Sequence, residues 1–347
     1  MTDNTADPDR MPRFEPLPWL EPHRRRLWQS FEQGRLAHAL LLTGPAGVGK
    51  RHFADLFTAA LMCRARRPGG LPCGDCADCT LLRAGNHPDT AVLQPDAEAK
   101  TAEIKVEAVR ELCGRQTLTA QRGPRSVLRI APAEAMNAHA ANSLLKTLEE
   151  PADSTLLILI SESPTRLAAT ITSRCQRLSV PSPDAATASE WLAARMGEGA
   201  DVGLLLRLAH GAPLRALDLA DAQWLKQRDA AFRHFLLVAS GSEDPLLAAA
   251  AWQQQEVPLL LEWLTGWVTD LLRIASAGDG AHLGSPDKRA ELARLVSRTP
   301  PIAGHRFLQR LLQARAVASS TVNRQLLLES LAIGWARVSA GERCVAE

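Results

Sequence analysis

Tyrosine is absent from this 347-residue sequence, and aromatic residues make up only 4% of it, as eight Trp and seven Phe. The missing tyrosine has no functional account in the sequence. An excess of one charge is also lacking: 40 Lys and Arg stand against 38 Asp and Glu, a net of +2. That balance excludes a protein that coats nucleic acid by bulk charge, while permitting local basic patches. No uninterrupted apolar run approaches the length of a membrane span. The opening Met1-Thr2-Asp3-Asn4-Thr5-Ala6-Asp7-Pro8 is polar, with no signal-peptide core behind it. The chain is therefore expected to be cytoplasmic, with no membrane partner, and its seven cysteines to be reduced unless they bind metal. Low-complexity tracts and repeats are missing as well.

What is present suits two or three domains: 46% hydrophobic and 22% charged residues, over a length too great for one core. Up to about residue 180, short apolar runs alternate with helical periods. The runs are Ala39–Thr43, Ala91–Leu93, Ser126–Ile130, Thr155–Ile160 and Leu178–Val180. Such alternation predicts an α/β domain with a parallel sheet covered on both faces. Pro181-Ser182-Pro183 breaks the pattern, and all that follows has helical period. The expected organisation is an α/β domain at 1–180, a small helical domain at 181–220 and a larger helical domain at 221–347.

Gly44-Pro45-Ala46-Gly47-Val48-Gly49-Lys50 lies between a predicted strand and a predicted helix, the context a phosphate-binding loop requires. Gly44, Gly47 and Gly49 let backbone amides face phosphate oxygens, and Lys50 supplies a cation. The next residue should offer a hydroxyl to magnesium, but it is Arg51, which carries only donors. A hydrolysing enzyme also ends a later strand with carboxylates. Here Ser126–Ile130 runs into Ala131-Pro132-Ala133, and no acid occurs before Glu134. Two losses in one mechanism argue against catalysis, and passive nucleotide binding stays open.

Cys63, Cys73, Cys76 and Cys79 form C-x9-C-x2-C-x2-C. Four thiolates close a tetrahedral shell around zinc and leave no position for substrate, so the metal would be structural. A disulfide, unrelated thiols and an iron–sulfur cluster are the competing readings. Cys113, Cys175 and Cys344 are read as ordinary residues.

Five segments together resemble the bacterial clamp-loader family of the AAA+ ATPases. They are Arg35–Pro45 leading into the loop, the cysteine spacing, Asn142–Pro151, Thr170-Ile171-Thr172-Ser173-Arg174-Cys175, and Gly211–Leu217. Asn323–Glu329 is similar to the end of the family's collar. The resemblance implies an AAA+ P-loop domain with an inserted zinc module at about 63–79, then a helical lid and an all-α collar. It implies a hetero-pentamer with motor and clamp-opening subunits that loads a sliding clamp onto primed DNA for the replicative polymerase. The motors keep the loop hydroxyl and the acidic pair; this chain lacks both but keeps Ser173-Arg174-Cys175, the pattern of a stator-like subunit. Arg174 is then expected to act in trans on a neighbour's γ-phosphate, and Arg215 to mark the second sensor position, a structural relic or a nucleotide contact.

An active ATPase of the same fold and a zinc-dependent nucleic-acid binder are the alternatives, the latter lacking the basic and aromatic interleaving such modules use. Arg24-Arg25-Arg26, Glu149 and Glu150 are read as solvated faces. Trp224, Trp252, Trp263, Trp267 and Trp335 are read as core or subunit interface.

Overall fold

The computed structural model describes residues 14–96, 103–114, 120–152, 154–197, 199–318 and 323–340. The chain divides into two compact units. One comprises Met1–Arg195 with Ala212–Arg215, the other Met196–Gly211 with Ala216–Glu347. The 181–220 segment is thus shared between the two units.

The first unit is built on a five-stranded, all-parallel sheet: β1 (Ala39–Thr43), β2 (Thr90–Leu93), β3 (Ser126–Ile130), β4 (Thr155–Ser161) and β5 (Gln176–Ser179). Their order is β2-β3-β4-β1-β5. β1 and β4 are buried along their whole length, as continuous apolar runs between two helical layers require, whereas the edges β2 and β5 are largely open. The helices are α1 (Glu21–Glu32), α2 (Lys50–Met62), α3 (Ala77–Arg83), α4 (Val106–Gly114), α5 (Ala138–Glu149), α6 (Ala169–Thr172) and α7 (Ala185–Ala193). Asn137 caps α5 by accepting from the Ala140 amide, and the helix ends just before Pro151. The sheet packs on α4 and α5 through Leu41, Leu128, Ile130, Leu144 and Leu159.

The second unit is helical: α8 (Val202–Leu208), the C-terminal part of α9 (Pro213–Leu219), α10 (Ala222–Ser240), α11 (Pro245–Trp252), α12 (Val257–Ala277), α13 (Arg289–Val296), α14 (Pro301–Val317) and α15 (Arg324–Ser339). Its largely aliphatic core contains a cluster of aromatic side chains. Trp335 stacks on Phe235 at 4.3 Å between ring centroids and donates its indole N–H to the Phe235 carbonyl. Trp267 meets Phe232 edge-on at 4.9 Å, and Trp252 donates to the Ala231 carbonyl. The expectation that these tryptophans are core holds for Trp252, Trp263, Trp267 and Trp335, all buried. Among the described residues no helix is long and apolar enough to cross a membrane.

Candidate functional site

Parallel strands deliver their C-terminal ends to one edge of the sheet, where α/β folds bind ligands. At that edge lie the Gly44–Lys50 loop after β1, residues 131–134 after β3 and residues 162–163 after β4. Gly44, Gly47 and Gly49 have φ of +151°, +73° and +97°, conformations that favour glycine. Each also sits against protein. A Cβ would lie 2.0 Å from the Val180 carbonyl oxygen at Gly44, 2.4 Å from Arg215 Cβ at Gly47 and 2.3 Å from Leu17 Cδ1 at Gly49. The Gly47 carbonyl accepts from the Leu214 amide and the Val48 carbonyl from the Trp19 indole. Arg215 lies beside the loop, with its backbone and Cβ against Gly47.

Lys50 is buried and turned into its own loop. Its Nζ donates to the Gly44 carbonyl at 2.9 Å and to that of Pro45, and it lies 3.9 Å from Glu162 Oε1. Burial pushes the ammonium pKa down, while the Glu162 and Glu134 carboxylates push it back up. Arg51 is exposed at the start of α2. Glu134, the first acid after β3, accepts from the amides of Glu162 (2.8 Å) and Ser163 (3.0 Å) with one carboxylate oxygen. Its role in this arrangement is to tie the β3 and β4 ends together.

The four predicted cysteines converge. Their Sγ atoms all lie within 4.8 Å of one another. Cys63–Cys73 is 3.5 Å, Cys63–Cys76 3.9 Å and Cys73–Cys79 4.0 Å. A tetrahedral zinc site with bonds of about 2.3 Å places its sulfurs roughly 3.8 Å apart. The cluster fits that shell, and could hold a metal ion. The Cys73 amide donates to Cys63 Sγ and the Cys76 amide to Cys73 Sγ, both at 3.3 Å. The amides of Asp75 and Cys76 hold the Cys73 thiol below its usual range, whereas burial pushes the Cys63 and Cys79 thiols up. Burial pushes the Cys76 thiol up, but the amides of Cys79 and Arg64 and the neighbouring thiols outweigh it and hold it at about 6.

The environment of this module was not legible in the sequence. Arg24, expected on a solvated face, is buried; it pairs with Glu21 at 2.7 Å and donates to the Gly69 carbonyl. Gly70 lies flat against the Trp28 ring, leaving no room for a Cβ. On the module's other side, buried Asp78 faces Arg122 (2.6 Å), Arg64 (3.0 Å) and His87 (3.4 Å). Buried Asp89 accepts from the amides of Gln121, Arg122 and Gly123 at 2.6–2.7 Å. The cysteine spacing announces a metal cluster but carries no signal for an arginine 43 residues beyond Cys79, since only the tertiary fold brings Arg122 there.

Arg174 follows the short helix α6 and is exposed. Its Nη1 donates to the Thr170 carbonyl at 3.0 Å and its Nη2 lies 2.7 Å from Glu149 Oε1. Glu149, also read as solvated, thus has a specific partner. A signal for it existed: an acid in the last turn of α5 meets the negative end of the helix dipole and gains from a nearby cation.

Comparison with known proteins bears on what these parts belong to. The family model described as DNA polymerase III, delta subunit, matches residues 21–184, and its C-terminal counterpart matches 222–337. Subunit delta-prime of DNA polymerase III from Pseudomonas aeruginosa is 39% identical over 322 residues, covering 91% of this chain and 97% of that one. The chain belongs to the DNA polymerase III delta-prime family. The delta-prime subunit of Escherichia coli is 33% identical over 90% of this chain and 93% of its own. The tau subunit of the same organism is 32% identical over 194 residues, covering 54% of this chain and 29% of its own. The delta-prime likeness therefore spans both units.

Proposed function

We propose that this delta-prime family member is a non-hydrolysing subunit of a clamp loader, working with motor and clamp-opening subunits to place a sliding clamp on primed DNA. The observation that carries the reading is the contrast between its two phosphate-directed features. The glycines of the loop that would bind its own nucleotide pack against Leu17, Val180 and Arg215, and the Lys50 ammonium is turned onto the carbonyls of Gly44 and Pro45. The position after Lys50 carries the exposed Arg51 instead of a hydroxyl, and Glu134 spends one carboxylate oxygen on the amides of Glu162 and Ser163. Arg174, by contrast, stands at the surface, as an arginine finger acting on a neighbouring subunit must, just after the short helix α6.

In this reading Cys63, Cys73, Cys76 and Cys79 hold a structural zinc, whose chemistry is to fix the module rather than to activate water. Residues 181–220 correspond to a lid and 221–347 to a collar through which subunits assemble. Exposed Leu247, Ile302, Leu312 and Leu326 give that helical unit apolar surface for partners. The test is magnesium-dependent ATP turnover by the isolated chain, compared with Lys50→Ala. No turnover above the control is expected; steady hydrolysis abolished by the substitution establishes instead an active ATPase, the reading that the retained glycines and Lys50 favour.

A further inference from the structure

The ion pair between Arg174 and Glu149 joins two elements that the proposed function treats separately: the helix α5 that follows β3, and the segment after β4 that carries the finger. Resting on the reading of Arg174 as a finger, we propose that Glu149 is its positioning residue, holding the guanidinium in the orientation in which it meets the neighbour's nucleotide.

An arginine side chain carries a large rotamer entropy, and a finger that must be ordered at the moment of reaction loses part of what it contributes. Here two groups hold the guanidinium. The Thr170 carbonyl takes an N–H of Nη1 at 3.0 Å, and the Glu149 carboxylate faces Nη2 at 2.7 Å. A guanidinium has five N–H donors in a rigid fork, so holding it at these points still leaves donors for a phosphoryl oxygen. Both contacts come from backbone positions fixed by the fold. Thr170 lies in α6 itself, and Glu149 is the last residue of α5, which the Asn137 cap and the packing of Leu144 and Leu148 against the sheet hold in place. The location of Glu149 also resists a purely local explanation. A carboxylate at a helix C-terminus is disfavoured by the dipole, so α5 gains nothing from it except through its partner.

The experiment uses clamp-loader rings reconstituted from the full chain and its partner subunits, with DNA-stimulated ATPase measured at saturating and limiting ATP. Glu149→Gln lowers the Arg174-dependent part of kcat about two- to fivefold, the range an exposed ion pair supplies, and leaves KM and ring assembly unchanged. Glu149→Asp, which keeps the charge one methylene short, recovers part of the rate. In an Arg174→Ala background Glu149→Gln adds nothing. Rings carrying Glu149→Gln that hydrolyse as fast as wild type, or faster, overturn the proposal, as does an equal loss in the Arg174→Ala background, which marks a merely structural effect. If Arg174→Ala alone is silent, the finger reading itself falls and this inference falls with it.

Discussion

Gly69 and Gly70 offer an unusually clean perturbation of the cysteine module, because their backbones are nearly the same while their neighbours differ. Their φ angles are +75° and +74°. A Cβ at Gly69 meets only Arg24 Nη2, at an ordinary 3.6 Å. A Cβ at Gly70 would lie 2.1 Å from Trp28 Cδ2 and 2.2 Å from Cε2, inside a rigid ring that belongs to α1. Gly→Ala at either site forces a non-glycine residue into the left-handed region, at a cost of roughly 1–2 kcal/mol. Only Gly70→Ala adds overpacking, worth typically about 1–3 kcal/mol. The strain is common to both variants and cancels in their difference, which isolates the contact between the module and Trp28. With a urea slope of about 1–3 kcal/mol per molar, the Gly70→Ala midpoint should fall roughly 1 M below that of Gly69→Ala. Urea unfolding followed by circular dichroism measures this. In a Trp28→Ala background the difference between the two variants should shrink, because the partner is gone. Equal midpoints for Gly69→Ala and Gly70→Ala would refute the claim that Trp28 anchors the module.

Zinc bound by the four cysteines should appear in elemental analysis of protein purified without added metal, and Cys76→Ser with Cys79→Ser should remove it; folded protein without zinc contradicts the assignment. Acid should loosen the Asp89 junction. Burial pushes its carboxyl up, but the amides of Gln121, Gly123 and Arg122 outweigh burial and hold it below the usual carboxylate range. Its contribution is then present above a pH of about 4 and is lost as pH falls through the lowered value, so Asp89→Asn should flatten the acid limb of a stability–pH curve; an unchanged limb counts against the assignment. Arg228, buried and paired bidentately with Asp287 at 2.8 and 3.2 Å, should cost roughly 3 kcal/mol when changed to Ala, read by thermal unfolding.

Much of the first unit was legible because local rules and tertiary outcome agree there. The five apolar runs became the five parallel strands, and the bounds of β1 and β3 match those runs residue for residue. Continuous burial leaves period-2 patterning no role, so length and flanking turn residues sufficed to separate strand from helix. Ile104 shows the limit. Together with Val109 and Leu112 its apolar side chain suits one side of a helix, but its backbone bridges to Met136, with its amide on the Ala135 carbonyl, and α4 begins at Val106. The convergence of the four cysteines was legible because their close spacing, C-x9-C-x2-C-x2-C, is displayed directly in the sequence. Arg24 was not, since a charged residue on a helix looks the same whether its partner is water or a group far along the chain; Glu149 carried only the general signal of an acid at a helix C-terminus, which does not name its partner. Lys50 was legible as a loop lysine, whereas its turn toward the carbonyls of Gly44 and Pro45 is a side-chain choice that the loop's spacing does not encode.

The central claim is that the nucleotide chemistry served by this chain takes place in a neighbour and reaches it through Arg174. Clamp-loader rings assembled with wild-type chain or with Arg174→Ala, matched for zinc content and assembly, test it by DNA-stimulated ATP turnover. The account predicts a fall confined to the site that borrows the residue, where losing such a finger costs on the order of a thousandfold, so that total turnover drops by about one site's share. Equal turnover in the two rings would contradict it and leave the chain a scaffold only.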